Sequence, residues 1–126
     1  MATKVNNGFA LEVAELIQTY YVGLIRQDGT EASIDRQPFG TVNVDSSSST
    51  THHIISNANT ITFPTASTDV APTDNPVAKI GIYKNLTETT PLIEVDVEPL
   101  PKPYLTGDQF IILNDALKVL IQKDVS

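Results

Sequence analysis

The chain has 126 residues, no cysteine, a formal charge of −7 at pH 7 and a sequence pI near 4.5. This length suits one domain with a hydrophobic core, so we expect a single domain over residues 1–126. The lack of cysteine excludes disulfides and thiolate chemistry, and the acidic charge argues against a nucleic-acid partner because it repels phosphates.

The first predicted element is a helix over residues 8–18, the only good helical segment in the sequence. Its apolar residues recur at helical spacing, while Glu12, Glu15 and Gln18 face away from them. A helix of about eleven residues is marginal alone, so we expect its apolar stripe to pack on the rest of the protein. Asn7 is the expected N-cap. The stripe consists of Phe9, Leu11, Val13, Ala14, Leu16 and Ile17.

Short strands and polar connections follow the helix. Residues 19–26 are mostly β-branched or aromatic and predict a strand, and Asp28-Gly29 predicts the turn after it. The serine-rich run over 45–51 is expected to be a solvated loop. The Pro-, Thr-, Ser- and Asp-rich stretch over 65–76 predicts a long irregular connection. Further short strands are predicted at residues 36–44, 53–56 and 59–63.

The second half of the chain has the clearest strand patterns. Residues 77–84 and 92–98 both alternate. In the second of these segments, apolar side chains point one way and the acidic side chains between them point the other. Three prolines over residues 99–103 give a stiff extended connector. Residues 108–113 and 117–122 are the last two predicted strands.

These elements predict a fold that is mainly β. We expect a β-sandwich of jelly-roll or immunoglobulin-like type, built from about seven or eight short strands, with one N-terminal helix. Alternating strands require one buried and one wet face, as antiparallel sheets provide. The expected core residues are Tyr20, Ile80, Ile82, Ile93, Val95, Phe110 and Val119.

The sequence shows no constellation for catalysis or metal binding. His52 and His53 are adjacent, so in a strand they point to opposite faces and do not share a metal ion. The serines over residues 46–49 lack an identifiable base and orienting acid. The acidic residues of the 65–76 connection lack the spacing of a calcium loop. We therefore predict no enzyme activity, no cofactor and no metal site.

The acidic residues Glu94, Asp96 and Glu98 share one face of a predicted strand. A cation site is one hypothesis, but their Cβ atoms would lie ~7 Å apart along the strand. No loop supplies the carbonyl ligands that calcium prefers. The sequence therefore favours a solvated outer face, with an acidic contact to a basic partner as the next interpretation.

The segment Thr60-Ile61-Thr62-Phe63-Pro64-Thr65 lies within a longer stretch over residues 55–67. With this stretch the chain resembles a family of small virion proteins of tailed bacteriophages, the tail fibre or head decoration proteins. Other pieces resemble the family in the same order, so the resemblance covers nearly the whole chain. These pieces are residues 8–18, 20–25, 36–38, 78–83, 105–110 and 116–122.

The resemblance implies a structural protein of a tailed phage virion. Its expected role is that of a capsid auxiliary or decoration (cement) protein acting by protein–protein contacts, and a small tail fibre or tail accessory protein is the alternative. The implied partners are the major capsid protein, other virion proteins or further copies of this chain. No apolar run reaches the ~20 residues of a membrane span, so no membrane partner is expected. The chain start is polar, and we expect synthesis in the host cytoplasm and final location in the virion.

Partner contacts are expected from loops and from the chain start, because loops carry most binding residues. A carbohydrate-binding module is the alternative of another class, for which only Tyr20, Tyr21, Tyr83 and Tyr104 supply aromatic rings of the usual kind. The predicted interface residues are Asn6, Asn7, Ser47, Ser48, Thr50, Asp69, Pro72, Asp74, Pro76, Lys102, Pro103 and Tyr104.

Overall fold

The structure, a computed structural model, describes residues 3–125. It contains one helix and eleven strands within these residues, and several of the strands are only two residues long. In chain order the elements are β1 (Thr3–Lys4), α1 (Asn7–Ile17), β2 (Tyr21–Arg26), β3 (Gln37–Pro38), β4 (Val42–Asp45), β5 (His52–Asn57), β6 (Ile61–Thr62), β7 (Val77–Tyr83), β8 (Ile93–Asp96), β9 (Ile111–Ile112), β10 (Lys118–Gln122) and β11 (Asp124–Val125).

Two antiparallel sheets make up most of the fold. The larger has four strands in the order β3-β2-β7-β8, and the other has three in the order β10-β5-β4. Two further antiparallel pairs are β6 with β9, which lie within the strands predicted at residues 59–63 and 108–113, and β1 with β11, which the sequence did not predict. The predicted mainly-β fold with a single N-terminal helix is confirmed.

Both larger sheets and the helix contribute side chains to one hydrophobic cluster. Leu24 comes from the four-stranded sheet, Ile55 from the three-stranded sheet and Ile17 from α1. Phe110 joins the cluster through aromatic contacts to Phe63 and Tyr104, with ring centroids 6.1 and 5.9 Å away. Of the predicted core residues, Ile80, Ile82, Phe110 and Val119 are buried, while Tyr20, Ile93 and Val95 are half-buried against the cluster.

The predicted helix is present within one residue at each end, but its contact face differs from the prediction. Its buried residues are Ala10, Ala14 and Ile17, spaced by four and three positions, and α1 packs against β4 and β5. The two small alanines suit close packing of the helix. The stripe residues Phe9, Leu11 and Leu16 are exposed instead, because the apolar arc of the helix is wider than the surface that covers it.

Two further local predictions were wrong. The N-cap is Asn6 rather than Asn7, and its side chain makes no capping hydrogen bond. The single strand predicted over residues 36–44 is divided into β3 and β4, which belong to different sheets. Gly40 lies between them with φ of 78°, a left-handed conformation that interrupts an extended chain and suits glycine. The chain passes from one sheet to the other at this point.

Candidate functional site

The predicted interface residues are placed in two groups by the structure. The first contains the start of the helix and the serine loop, residues 46–51, and His53 connects them. The imidazole of His53 is bonded through Nδ1 to Ser46 Oγ at 2.8 Å and through Nε2 to the carbonyl oxygen of Val5 at 2.7 Å. Within this group Asn6, Asn7, Ser47, Ser48 and Thr50 are exposed.

The second group brings the 69–76 connection against residues 102–104. The backbone N–H groups of Val70 and Ala71 both donate to the carbonyl oxygen of Tyr104, and those of Val77 and Lys102 each donate to the other's carbonyl. Within this group Asp69, Asp74, Lys102 and Pro103 are exposed, and Pro72 is half-buried.

Two of the predicted contact residues are buried in the structure, so the prediction was wrong for them. Tyr104 is fully buried, and its hydroxyl donates a hydrogen bond to the carbonyl oxygen of Pro64. Burial also raises the pKa of the Tyr104 phenol. Pro76 is buried as well. The sequence placed both residues in loops, but these loops pair with one another, so neither side chain is available to a partner.

The serine loop is more ordered than the predicted solvated run. The Asp45 carboxylate accepts hydrogen bonds from the Ser48 hydroxyl and from the N–H groups of Ser47 and Ser48. These bonds, the hydroxyl first, hold the pKa of Asp45 well below its ordinary value of 3.8. Lys123 Nζ donates to the carbonyl oxygens of Ser46 and Ser49 at 2.6 Å each. The loop is therefore fixed from both sides.

The two adjacent histidines have different surroundings, as their opposite directions in a strand require. His52 is half-buried, and its Nδ1 lies 2.8 Å from Thr51 Oγ1, whereas His53 is 1% exposed. The 2.8 Å separation of Ser46 and His53 is that of a nucleophile and a base, but His53 is enclosed. Its second nitrogen is bonded to the Val5 carbonyl. We therefore interpret His53 and Ser46 as a structural pair that holds the start of the chain against the serine loop. Among residues 3–125, no three His, Asp or Glu side chains are grouped as metal ligands.

The described residues also form an open groove, and its lining includes three of the predicted interface residues, Lys102, Pro103 and Tyr104. It consists of two cavities of about 520 and 630 Å³ that share the lining residues Val95, Asp96, Glu98 and Ala116. We call this the edge groove. One of its sides is formed by β8 and the other by residues 109–113 and β10, and residues 102–104 contribute to the lining. Its exposed apolar side chains are Ile111, Leu113 and Leu120.

Each larger sheet ends at the edge groove. In the part of the chain that is described, β8 pairs only with β7, and β10 pairs only with β5, so each strand has one open side. Val97 N–H donates to the carbonyl oxygen of Ala78 at 2.9 Å. Backbone groups alternate in direction along an antiparallel strand, so those of Ile93 and Val95 also face β7. The N–H and C=O groups of Glu94 and Asp96 therefore face the open side.

The side chains of β8 divide in the same way between the two faces of the sheet. Ile93, Val95 and Val97 are half-buried against the core, while Glu94 and Asp96 are exposed. The predicted alternation of this segment is confirmed. Across the groove, Lys118 is exposed at the start of β10. The edge groove can accept an extended chain, because it offers unpaired backbone groups beside an apolar lining.

A second exposed apolar surface lies on the outer side of α1, where Phe9 and Leu16 are each more than half exposed. The sequence contained a signal for both surfaces. The helix has apolar residues around too much of its circumference, and Val119, Leu120 and Ile121 are consecutive in a strand whose alternate side chains face opposite sides. Apolar residues in excess of what the fold can bury are the mark of a contact surface.

No helix in the described range is long and apolar enough to cross a lipid bilayer. Comparisons of the chain with protein-family models, with curated proteins and with solved structures each find no match.

Proposed function

We propose that this chain is an assembly module that works through protein–protein contacts, in the form of a structural protein of a tailed phage virion. Its role in that form is capsid decoration, with a small tail fibre or tail accessory protein as the alternative. The single observation that supports the general proposal is the edge groove, where two open sheet edges border exposed apolar side chains. Such surfaces are typical of sites that another chain covers.

The specific form of the proposal is supported by the resemblance of residues 55–67 and the pieces around them to virion proteins. A decoration protein binds a lattice, so each copy needs only a modest contact area, and many identical sites retain the layer. The acidic charge of −7 keeps free copies apart before they bind. The carbohydrate-binding alternative has less support, because the rings of Tyr83 and Tyr104 are buried.

The proposal is tested by light scattering and co-sedimentation of the purified chain with emptied heads and, separately, with isolated tails of the phage that encodes it. We expect saturable binding of many copies to heads. Binding to tails alone would select the tail accessory role, and binding to neither particle would end the virion proposal.

A matched pair of variants tests whether the edge groove makes the contact. Leu120 lines the groove and is 56% exposed, while Leu86 lies outside it and is 58% exposed. We expect Leu120→Asp to weaken binding about tenfold, as the loss of one central apolar contact does. Leu86→Asp should bind as the unchanged chain does, since it adds the same charge elsewhere. Equal binding by all three proteins would exclude the groove as the contact.

A further inference from the structure

We propose that β8 is the docking edge for an extended segment of a partner protein in which basic residues alternate with apolar ones. This inference rests on the proposed function, because it names the chemistry of the partner that the edge groove takes. The mode is strand addition, in which the partner segment becomes the next strand of the four-stranded sheet.

The backbone of β8 offers hydrogen-bonding groups on its open side. The N–H and C=O groups of Glu94 and Asp96 point to the open side, because those of Ile93, Val95 and Val97 face β7. An extended partner segment can pair with these groups without displacing any described strand. This main-chain pairing gives affinity that does not depend on the partner's side chains.

The side chains of β8 decide which partner sequence fits. A strand added beside β8 places its alternate side chains next to Glu94 and Asp96 on one face and next to Val95 on the other. Opposite charges on neighbouring strands attract, and like charges repel. Lysine or arginine therefore suits the first face of the partner segment, and valine, isoleucine or leucine suits the second, which adjoins the apolar lining of the groove.

The same charges argue against a second copy of this chain as the occupant. Antiparallel pairing of β8 with its own copy would place Glu94 and Asp96 beside the same carboxylates. The open edge of β10 from a second copy would also fit β8 poorly. Its exposed residues Lys118, Leu120 and Gln122 include only one basic side chain to set against Glu94 and Asp96. The occupant that fits is thus a different, basic segment.

The test uses the whole chain and a synthetic eight-residue peptide of alternating lysine and valine. We expect saturable binding in NMR titrations, with slowed amide hydrogen exchange at Glu94 and Asp96 and weaker binding as salt is added. A peptide of alternating glutamate and valine is the charge control. A lysine–valine peptide with N-methyl groups on alternate amides is the backbone control, and neither control peptide should bind.

Two variants of β8 separate backbone pairing from charge. Asp96→Pro removes an outward N–H and leaves the pairing with β7 intact, and proline is accepted at an edge strand on such a position. It should abolish peptide binding, and its thermal unfolding reports whether the fold persists. Glu94→Gln and Asp96→Asn should each weaken binding about two- to fivefold. Glu15→Gln, on the exposed side of α1, is the matched charge control and should change nothing.

The inference is overturned if the lysine–valine peptide does not bind, if either control peptide binds equally well, or if the chain associates with itself through β8. The inference would also be overturned if folded Asp96→Pro bound to heads as well as the unchanged chain does. Equal head binding by Glu94→Gln and by Asp96→Asn would have the same consequence. In both cases the proposed function would still stand. Peptide binding at β8 without binding to heads or tails would instead remove the virion role.

Discussion

Gly23 and Gly81 lie directly opposite one another on β2 and β7, and together they leave room for the ring of Tyr83. A Cβ atom at Gly81 would lie 2.7 Å from the Tyr83 ring, and one at Gly23 would lie 2.5 Å from Glu31 Oε2. The guanidinium of Arg36 stacks 3.6 Å from the centroid of the same ring. The two glycines thus leave space on one face of the sheet for the Tyr83 ring, for Arg36 stacked on it and for Glu31 paired with Arg36.

Gly81→Ala should destabilise the protein by about 1–3 kcal/mol, because the new methyl group overlaps the Tyr83 ring and forces it to move. Urea unfolding followed by circular dichroism measures the change. Gly8→Ala is the matched control. A Cβ at Gly8 has no neighbour within 4 Å, and alanine favours a helix, so stability should rise by about 0.5–1 kcal/mol. Equal loss from both substitutions would contradict the steric explanation.

Arg36→Ala should cost about 2–4 kcal/mol, because the guanidinium joins its own segment, residues 31–36, to the turn at residues 85–88, which is distant in sequence. It bonds both oxygens of Glu31, at 2.7 and 2.9 Å, and donates to the carbonyl oxygens of Asn85 and Glu88. The hydrogen bonds to Glu31, more than any other cause, raise the pKa of Arg36, so the charge persists at any working pH.

The same urea experiment compares Arg36→Lys, which should recover only part of the loss, since an ammonium cannot bind a carboxylate with two parallel bonds or stack on the ring as guanidinium does. Lys84→Ala removes an exposed cation beside this site and should change stability by less than about 0.5 kcal/mol. Full recovery by lysine would show that charge alone matters.

Asn57→Ala should destabilise the chain by about 2–3 kcal/mol, because it leaves buried backbone groups without partners. The Asn57 side chain is fully buried and accepts a hydrogen bond from the N–H of Leu117 at 2.9 Å. Its amide nitrogen donates to the carbonyl oxygens of Asn59 and Leu113. Asn59→Ala, at an exposed position two residues along, is the control and should have little effect. Thermal unfolding of both variants tests the difference.

Asp45 should make stability depend on pH in the acid range. Its folded pKa is depressed below 3.8, so its contribution is fully present well above 3.8 and is lost as the pH falls toward the folded value. The stability difference between the unchanged chain and Asp45→Asn should therefore be constant at neutral pH and shrink below pH 3.8. Urea unfolding at a series of pH values measures it, and NMR titration of the Asp45 carboxyl carbon gives the folded pKa directly. A difference that grew on acidification would have the wrong sign.

Local pattern allowed much of the fold to be predicted. Period-2 alternation identified β8 with its buried and wet faces, and helical spacing placed α1 within one residue at each end. The predictions that failed concern contacts between residues that are far apart in the sequence. Nothing in residues 65–76 or 99–104 indicates that these two irregular segments pair, and that pairing is what buries Tyr104. The division between β3 and β4 likewise depends on the conformation of Gly40 and on which sheet each half joins.

The consecutive apolar residues of β10 indicate a contact surface, but the position of the edge groove could not be predicted, because it depends on which strands are last in their sheets. The alternation of residues 92–98 is the same for an edge strand and for an inner strand of a half-buried sheet. Only the sheet order places β8 and β10 at open edges on the two sides of one groove. The predicted interface residues were chosen because they lie in loops or near the chain start, and that criterion overlooks exposed leucines in and beside strands, such as Leu120 and Leu113.

The antiparallel pairing of β1 with β11 brings both ends of the described chain together. A short linker between them would close the polypeptide into a ring, and a cut in the exposed 86–90 turn would give it new ends while every strand pair kept its partner. We therefore expect the same fold from a chain that begins and ends in the 86–90 turn. Tags or cargo attached at Thr3 and at Val125 would lie side by side.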